Sequence, residues 1–356
     1  MEPRTKRGRL KRYIKLLTIV LGSFYLGRLS GFHLGTTTSY KIADGDNAFR
    51  KASSGSSMTL VESEGSQLTN LDQDQQDLTW FDRIAAQQLR KTIRSLFPQE
   101  NMDPVLVSTA STIVTSLLHF PPNASKNNSG ISPNHVIIKP QRKCAVVGNS
   151  GILLKSGCGE LIDKNDMVIR SNIATIKGFQ HDVGNKRDIV TINRVVLKWL
   201  VEALNKTKEH PNQMRNLRQY NNSILWFQLD LTNEVKPLLI TLAECCKKAH
   251  ISVYFAFSTI SIRTVSKRLW NIPEHLPSAG LMITTAALTF CDELSLFGFY
   301  PFSTDQNDRA IKYHYFDKNI MNYTTSRHKL PAEFSILQRL HDLKIINLRT
   351  ERCDVS

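Results

Sequence analysis

No G-x-G-x-x-G follows any apolar run in this chain, and no acidic residue stands where a nicotinamide ribose would need one. That removes a dinucleotide-dependent oxidoreductase. Zinc-finger spacing is also missing, and no basic stripe interleaved with aromatics accompanies the formal charge of +15, so that charge does not point to nucleic acid. Seven Lys and Arg residues among the first 15 positions, set against Glu2, account for +6 of it. The rest is spread along the chain, where an acidic substrate explains it equally well. There is no internal repeat, which excludes a solenoid. With 41% apolar residues over 356 positions, the chain can bury the core of one large α/β domain and still carry appendages.

The front end is specialised. Behind the basic run, Leu16 to Leu26 is uncharged, and the apolar character continues past Arg28 to Leu34. A helix over 16–34 spans about 28 Å, a hydrocarbon core, if Arg28 snorkels to the interface. A cleaved signal peptide has a similar apolar length, but Arg28 and Leu29 break its small-residue cleavage pattern. The segment reads as an uncleaved signal anchor, with residues 1–15 as a cytosolic tail and the remainder lumenal. Residues 35–76 are Ser, Thr, Gly, Asp and Gln with little periodicity and read as a disordered stem.

Trp80, Phe81, Ile84, Ala85, Leu89, Ile93, Leu96 and Phe97 recur at helical spacing and predict an amphipathic helix packed on the domain behind it. With the Pro-, Asn- and Ser-rich stretch Pro121 to Pro140, this makes 77–141 a helix plus linker ahead of an α/β domain over 142–356. Short apolar runs then alternate with helical segments: 145–147, 167–170, 189–192, 224–227, 251–255, 294–297 and 345–348. That alternation predicts a single Rossmann-like domain, a mostly parallel twisted sheet flanked by helices on both faces, with ligands at the carboxyl ends of its strands. Asn149, Asn172 and Asn193 each fall just past a predicted strand, at that rim.

One stretch is more informative than the others. Lys143-Cys-Ala-Val-Val-Gly-Asn-Ser-Gly151 reads as a buried strand running into a glycine turn that opens a helix, as a nucleotide phosphate site begins. It resembles sialylmotif L of animal sialyltransferases, which continues here through Arg170-Ser-Asn172 and Asp182-Val-Gly184. Leu276-Pro-Ser-Ala-Gly-Leu-Met282 with Phe290 to Phe302 resembles motif S; His314-Tyr-Phe-Asp317 resembles motif III; His328-Lys-Leu-Pro-Ala-Glu333 fits the His-x4-Glu of motif VS. The wording is closest to the α2,8-sialyltransferases, and the 80–97 segment resembles their pre-catalytic helix.

That resemblance implies a variant glycosyltransferase-A fold and a Golgi type II membrane enzyme. It implies transfer of sialic acid from CMP-sialic acid to a sialylated glycoprotein or glycolipid, inverting, with no cofactor and no metal. Asp72-Gln-Asp74, which has the metal-binding form of other glycosyltransferases, lies in the polar stem and reads as solvated surface. By motif position His328 is the general base and His314 assists departure of CMP; an imidazole with an ordinary pKa of about 6.5 suits both tasks. Glu333 either orients His328 or supplies a helix N-terminal charge. Donor contacts are implied for Asn149, Asn172, Ser278, Ala279, Gly280, Tyr300, Tyr313 and His314, although asparagines after strands are also common turn-formers.

Six cysteines agree with a lumenal address but do not choose their own pairing. The resemblance implies Cys144 with Cys291 and Cys158 with Cys353, and leaves Cys245 and Cys246 as two thiols on a partly buried helix. Asn123, Asn127, Asn205, Asn221 and Asn322 each begin a glycosylation sequon. Departures from the family wording include Ser278-Ala279-Gly280 for Ser-Thr-Gly, Asn193-Arg-Val195 for Asn-Pro-Ser, and Tyr300 for tryptophan. They leave an alternative: a catalytically impaired relative that binds CMP or sialoglycans. The basic residues between Lys247 and His275 are too thin for holding a polyanion, so transfer of one or a few residues is expected. Self-association into a homo-oligomer is left open.

Overall fold

In the computed structural model of the chain, residues 80–97, 106–109, 136–204, 211–229, 232–257, 261–272, 276–318 and 328–353 are described. All lie within the unit Leu71–Ser356. The tail, anchor and stem expected over 1–76, most of the 121–140 linker, and Asn123, Asn127, Asn205 and Asn322 lie outside them. Among the described residues no helix is long and apolar enough to cross a membrane.

In chain order the elements are α1 (Arg83–Ser95), β1 (Leu106–Thr109), β2 (Val136–Ile137), β3 (Gln141–Val147), α2 (Gly159–Asp163), β4 (Met167–Arg170), α3 (Gln180–Val183), β5 (Ile189–Ile192), α4 (Arg194–Leu204), α5 (Pro211–Gln219), β6 (Ile224–Phe227), α6 (Val235–Lys248), β7 (Tyr254–Phe257), α7 (Ile262–Leu269), α8 (Ala279–Phe290), β8 (Cys291–Phe297), α9 (Leu330–Asp342) and β9 (Asn347–Arg349). The sheet runs β2-β1-β7-β6-β5-β4-β3-β8-β9. Strands β3 to β9 are mutually parallel, and β1 joins the β7 edge antiparallel, with β2 beyond it. The chain winds outward from β3 to β7, then returns to lay β8 on the other side of β3. Strand order reverses between β3 and β8, which is where ligands of open α/β sheets collect.

Alternation along the strands builds two cores. Cys144 and Val146 of β3 pack with α1, α7, α8 and α9, whereas Ala145 and Val147 pack with α2, α4, α5 and α6. Helix α8 is buried all round from Leu281 to Phe290, as an apolar helix without a polar face must be. Its threonines satisfy their hydroxyls within the helix, Thr284 Oγ1 to the Gly280 carbonyl at 2.9 Å and Thr285 Oγ1 to the Leu281 carbonyl at 2.7 Å. Helix α1, N-capped by Asp82, docks through Ala86, Ile93 and Phe97 and is pinned by Arg83 to the buried Glu293 at 2.6 Å. Its Ile84 is 71% exposed, because two residues before Ala86 and nine before Ile93 it falls on the opposite side of the helix.

Three differences from the sequence expectation have local causes. The sheet takes β1 and β2 from upstream of residue 142, in the stretch read as helix and linker. The run expected as a strand over 251–255 pairs only from Tyr254, where β6 begins opposite it at Ile224. Ile345 and Ile346 turn their N–H groups back to the Leu340 carbonyl, closing α9 rather than joining β9.

Two disulfides join distant parts of the chain. Cys144–Cys291 links β3 to β8 with Cα atoms 5.9 Å apart, and Cys158–Cys353 ties the last described residues to the start of α2 with Cα atoms 4.9 Å apart. Cys245 and Cys246 on α6 are free thiols, Cys246 buried.

Candidate active site

The floor of the site is backbone. Gly148, ending β3, donates to the Phe297 carbonyl at 2.7 Å, and Gly298, ending β8, sits opposite at φ +73°. A Cβ on Gly148 would stand 2.5 Å from the Gly298 oxygen, and one on Gly298 would meet both Leu153 and Gly148. Only glycine allows β3 and β8 to approach this closely at the point where the strand order reverses. Above them opens a cavity of about 550 Å³.

The turn after β3 holds the segment that carries His314. Gly151 donates to the Lys312 carbonyl at 3.0 Å and would clash there with any side chain; Tyr315 donates from its backbone to the Asn149 carbonyl at 2.8 Å. Tyr315 is itself buried, its hydroxyl on the Thr175 carbonyl at 2.6 Å. His314, between these two anchors, is fixed at the cavity wall. Its Nδ1 lies 2.6 Å from Asp317 Oδ2, and its ring stacks on Phe316 with centroids 5.0 Å apart. Burial pushes the imidazolium of His314 below its ordinary range, and the Asp317 carboxylate opposes that shift.

His328 arrives from the other side, just before α9. Its Nδ1 lies 2.7 Å from the Leu276 carbonyl, and since a carbonyl only accepts, Nδ1 carries a proton, the tautomer whose neutral ring has its lone pair on Nε2. Two residues beyond Leu276, Ser278 caps α8 by accepting from Leu281 N at 3.1 Å. Glu333, buried in the first turn of α9, accepts from Ser278 N at 2.8 Å and from the Ser278 hydroxyl. The N-termini of α8 and α9 are thereby fastened together, with both helix dipoles presenting their positive ends.

The asparagines do two jobs. Asn149 donates Nδ2 to the Ser171 carbonyl at 3.1 Å. Asn172 takes φ +57°, a left-handed turn that asparagine tolerates, and its buried Oδ1 has no hydrogen-bond partner among the described residues. Asn193 is spent as the cap of α4, its Oδ1 accepting from Val196 N at 2.8 Å. Tyr300 commits its hydroxyl to the Thr304 carbonyl at 3.1 Å, and Tyr313 packs on His314 with centroids 4.4 Å apart. Gly280, in the first turn of α8, faces the Phe299 ring, whose edge leaves no room for a side chain. Ala279 lines the same wall without a hydroxyl.

A sequence profile of glycosyltransferase family 29 (sialyltransferase) matches residues 84–345. The chain belongs to this family. Two solved structures are similar to it: one described as a mammalian sialyltransferase, 20% identical over 72% of this chain and 92% of that one with a TM-score of 0.44. The other is described as a mammalian sialyltransferase in complex with Gal-beta-1-3GalNAc-ortho-nitrophenol, 20% identical over 72% and 93% with a TM-score of 0.41.

Of the residues that the sialyltransferase motifs singled out for the site, Asn149, Asn172, Ser278, Ala279, Gly280, Tyr300, Tyr313, His314 and His328 all line this one cavity. Arg170 of motif L does not; it is buried and donates Nε to the Lys186 carbonyl at 2.8 Å. Glu333, read from the sequence as orienting His328 or as a helix N-terminal charge, stands in the first turn of α9 and holds Ser278 across the gap to α8. Asp317, Gln228 and Arg263 are among the residues at the site that sequence reasoning left unassigned. Asp317 stood inside motif III, three residues from the histidine it touches, and was findable by that spacing. Gln228 and Arg263 carry no such signal, being brought to the cavity from the end of β6 and the start of α7. Among the described residues no group of three or more His, Cys, Asp or Glu is placed to hold a metal ion.

Proposed function

We propose that this chain transfers sialic acid from CMP-sialic acid onto a terminal sialoside of a glycoprotein or glycolipid, forming an α2,8 linkage with inversion and without a metal. The observation that carries it is the convergence of His314 and His328, from separate segments, on a cavity whose glycine floor lies at the sheet's switch point. The nucleotide phosphate sits over the turn after β3, reached by backbone N–H groups, the amide side chains and the N-terminal end of α8. His328, its Nδ1–H held by Leu276, takes the proton of the acceptor hydroxyl at Nε2. The hydroxyl oxygen forms a bond to the anomeric carbon as the bond from that carbon to the phosphate oxygen breaks, and the bonding pair leaves with CMP. His314 hydrogen-bonds the departing phosphate through Nε2–H, its Nδ1–H resting on Asp317. Burial by itself favours the neutral ring. The phosphate and Asp317 together favour the imidazolium, so the charge is assembled where negative charge develops.

The α2,8 assignment rests on motif wording. The type II Golgi topology, with residues 1–15 cytosolic, 16–34 as anchor, 35–76 as stem, 77–141 as pre-catalytic region and 142–356 catalytic, rests on the basic and apolar patterning of the first 34 residues. The test is incubation of the full-length chain, in detergent, with CMP-sialic acid and a panel of sialylated and neutral glycans, followed by digestion of the product with an α2,8-selective sialidase. His328→Ala is expected to lower turnover by roughly 100- to 10,000-fold while leaving CMP affinity within about threefold. A mutant with full turnover overturns the base. CMP binding by the wild-type chain without turnover on any acceptor would make it the impaired relative, a reading that Ala279 favours.

A further inference from the structure

Two of the residues that line the cavity carry a buried donor with nothing to give its hydrogen to. Gln228, the first residue past β6, is 2% exposed, and its Nε2 has no hydrogen-bond partner among the described residues. Arg263, in the first turn of α7, lines the same cavity, and its Nε is likewise buried and unpartnered. Native proteins rarely leave such groups unpaired, because each costs its desolvation and recovers nothing. The neighbouring Arg194 is different, since its guanidinium is paired with Glu234. Among the described residues no carboxylate pairs with Arg263.

A neutral amide and a guanidinium fork lining one cavity suit a planar, bidentate anion, and a carboxylate fits that geometry. Two carboxylates would be present in the proposed reaction, one on the donor sugar and one on a sialylated acceptor. On the donor, carboxylate and phosphate ester are attached to the same carbon, so both lie where the phosphate lies. That is the turn between β3 and β8. Strand β6 is three places along the sheet from β3, about 14 Å away. On an acceptor that attacks through a hydroxyl of its glycerol side chain, the carboxylate lies across the ring oxygen from the reacting hydroxyl, away from the phosphate.

We infer that Gln228 and Arg263 form an acceptor subsite that binds the carboxylate of the terminal sialic acid, and so select sialylated over neutral glycans. This rests on the transferase reading above. The subsite is tested on the full-length chain by steady-state kinetics and by saturation-transfer NMR with a methyl α-sialoside and its carboxyl methyl ester, CMP present. Arg263→Gln raises the acceptor KM about tenfold to a hundredfold and leaves the KM for CMP-sialic acid within about twofold. Arg263→Lys restores part of the loss. Gln228→Leu, which leaves the net charge unchanged and suits a buried position, costs several-fold in the same parameter. Esterifying the carboxylate weakens binding to the wild type by the same factor as Arg263→Gln, and weakens binding to that variant no further. Equal binding of acid and ester by the wild type overturns the subsite, as does an Arg263→Gln change confined to the donor KM, which would move the carboxylate to the donor. A chain that discriminates acid from ester as described but never turns over keeps the subsite and loses the transferase reading. A chain that turns over with unaltered Arg263→Gln kinetics does the reverse.

Discussion

Removing the Glu333 carboxylate tests whether the fastening of α8 to α9 holds the site together. Glu333 is 6% exposed and accepts two hydrogen bonds from Ser278, one from the backbone at 2.8 Å and one from the hydroxyl. A hydrogen bond to a charged group contributes about 1.5–3 kcal/mol, so two of them are worth about 3–6 kcal/mol, less what the freed Ser278 donors recover from water. Glu333→Ala therefore costs about 3–5 kcal/mol. At about 2 °C per kcal/mol for a domain of this size, the melting temperature falls by roughly 6–10 °C. Glu333→Gln keeps one acceptor oxygen and loses about half as much. Ser278→Ala removes the hydroxyl bond to Glu333 and also the cap on Leu281 N, so in a double-mutant cycle the hydroxyl part of its cost, about 1.5–3 kcal/mol, vanishes once Glu333 is alanine, while the cap part, about 1 kcal/mol, persists. Scanning calorimetry of the four proteins without reductant measures this, with CMP titration alongside, since on the proposed function a loosened α8 cap also weakens nucleotide binding. Additive losses, or an unshifted Glu333→Ala melt, would refute the reasoning.

Protonation of His314 gives a signed pH effect: its folded pKa lies below the unfolded value, so the unfolded chain binds the proton first. Its contribution to stability is intact above the ordinary histidine pKa and is lost as pH falls through the depressed folded value; His314→Asn flattens that limb in melts taken from about pH 7 to pH 5. Asp317→Asn removes the opposing charge and moves the NMR-titrated pKa of His314 further down; an upward move contradicts the pairing. For the cysteines, iodoacetamide applied to the native chain leaves Cys246 unmodified, because burial pushes its thiol up to about 12. After denaturation without reductant, mass spectrometry finds Cys245 and Cys246 alkylated and the other four protected; any label on Cys144, Cys158, Cys291 or Cys353 speaks against the two bridges.

How much of this molecule could be read in its sequence depended on how far apart the interacting residues lie. Strands such as 167–170, 189–192 and 224–227 were legible as apolar runs, because a strand buried on both faces needs no partner to be recognised. The site histidines were legible through motifs that extend over several neighbours. Strand β1 was not: Leu106–Thr109 is a four-residue piece whose pairing with Tyr254–Phe257 is a long-range event. The contact of Glu333 with Ser278 spans 55 positions, and no local pattern reports it. Gln228 and Arg263 read as an ordinary amide and an ordinary helical cation until the fold brought both to one cavity.

The two facing glycines have a consequence for how this enzyme can change. Where β3 and β8 meet, the pocket's base is peptide groups, and any substitution there collides with the opposite main chain. Mutation cannot retune the base by degrees; it can only keep it or break it. New substrate preferences therefore have to be written into the walls, at places such as Ala279, Gln228 and Arg263, while the same glycine footing persists beneath every variant.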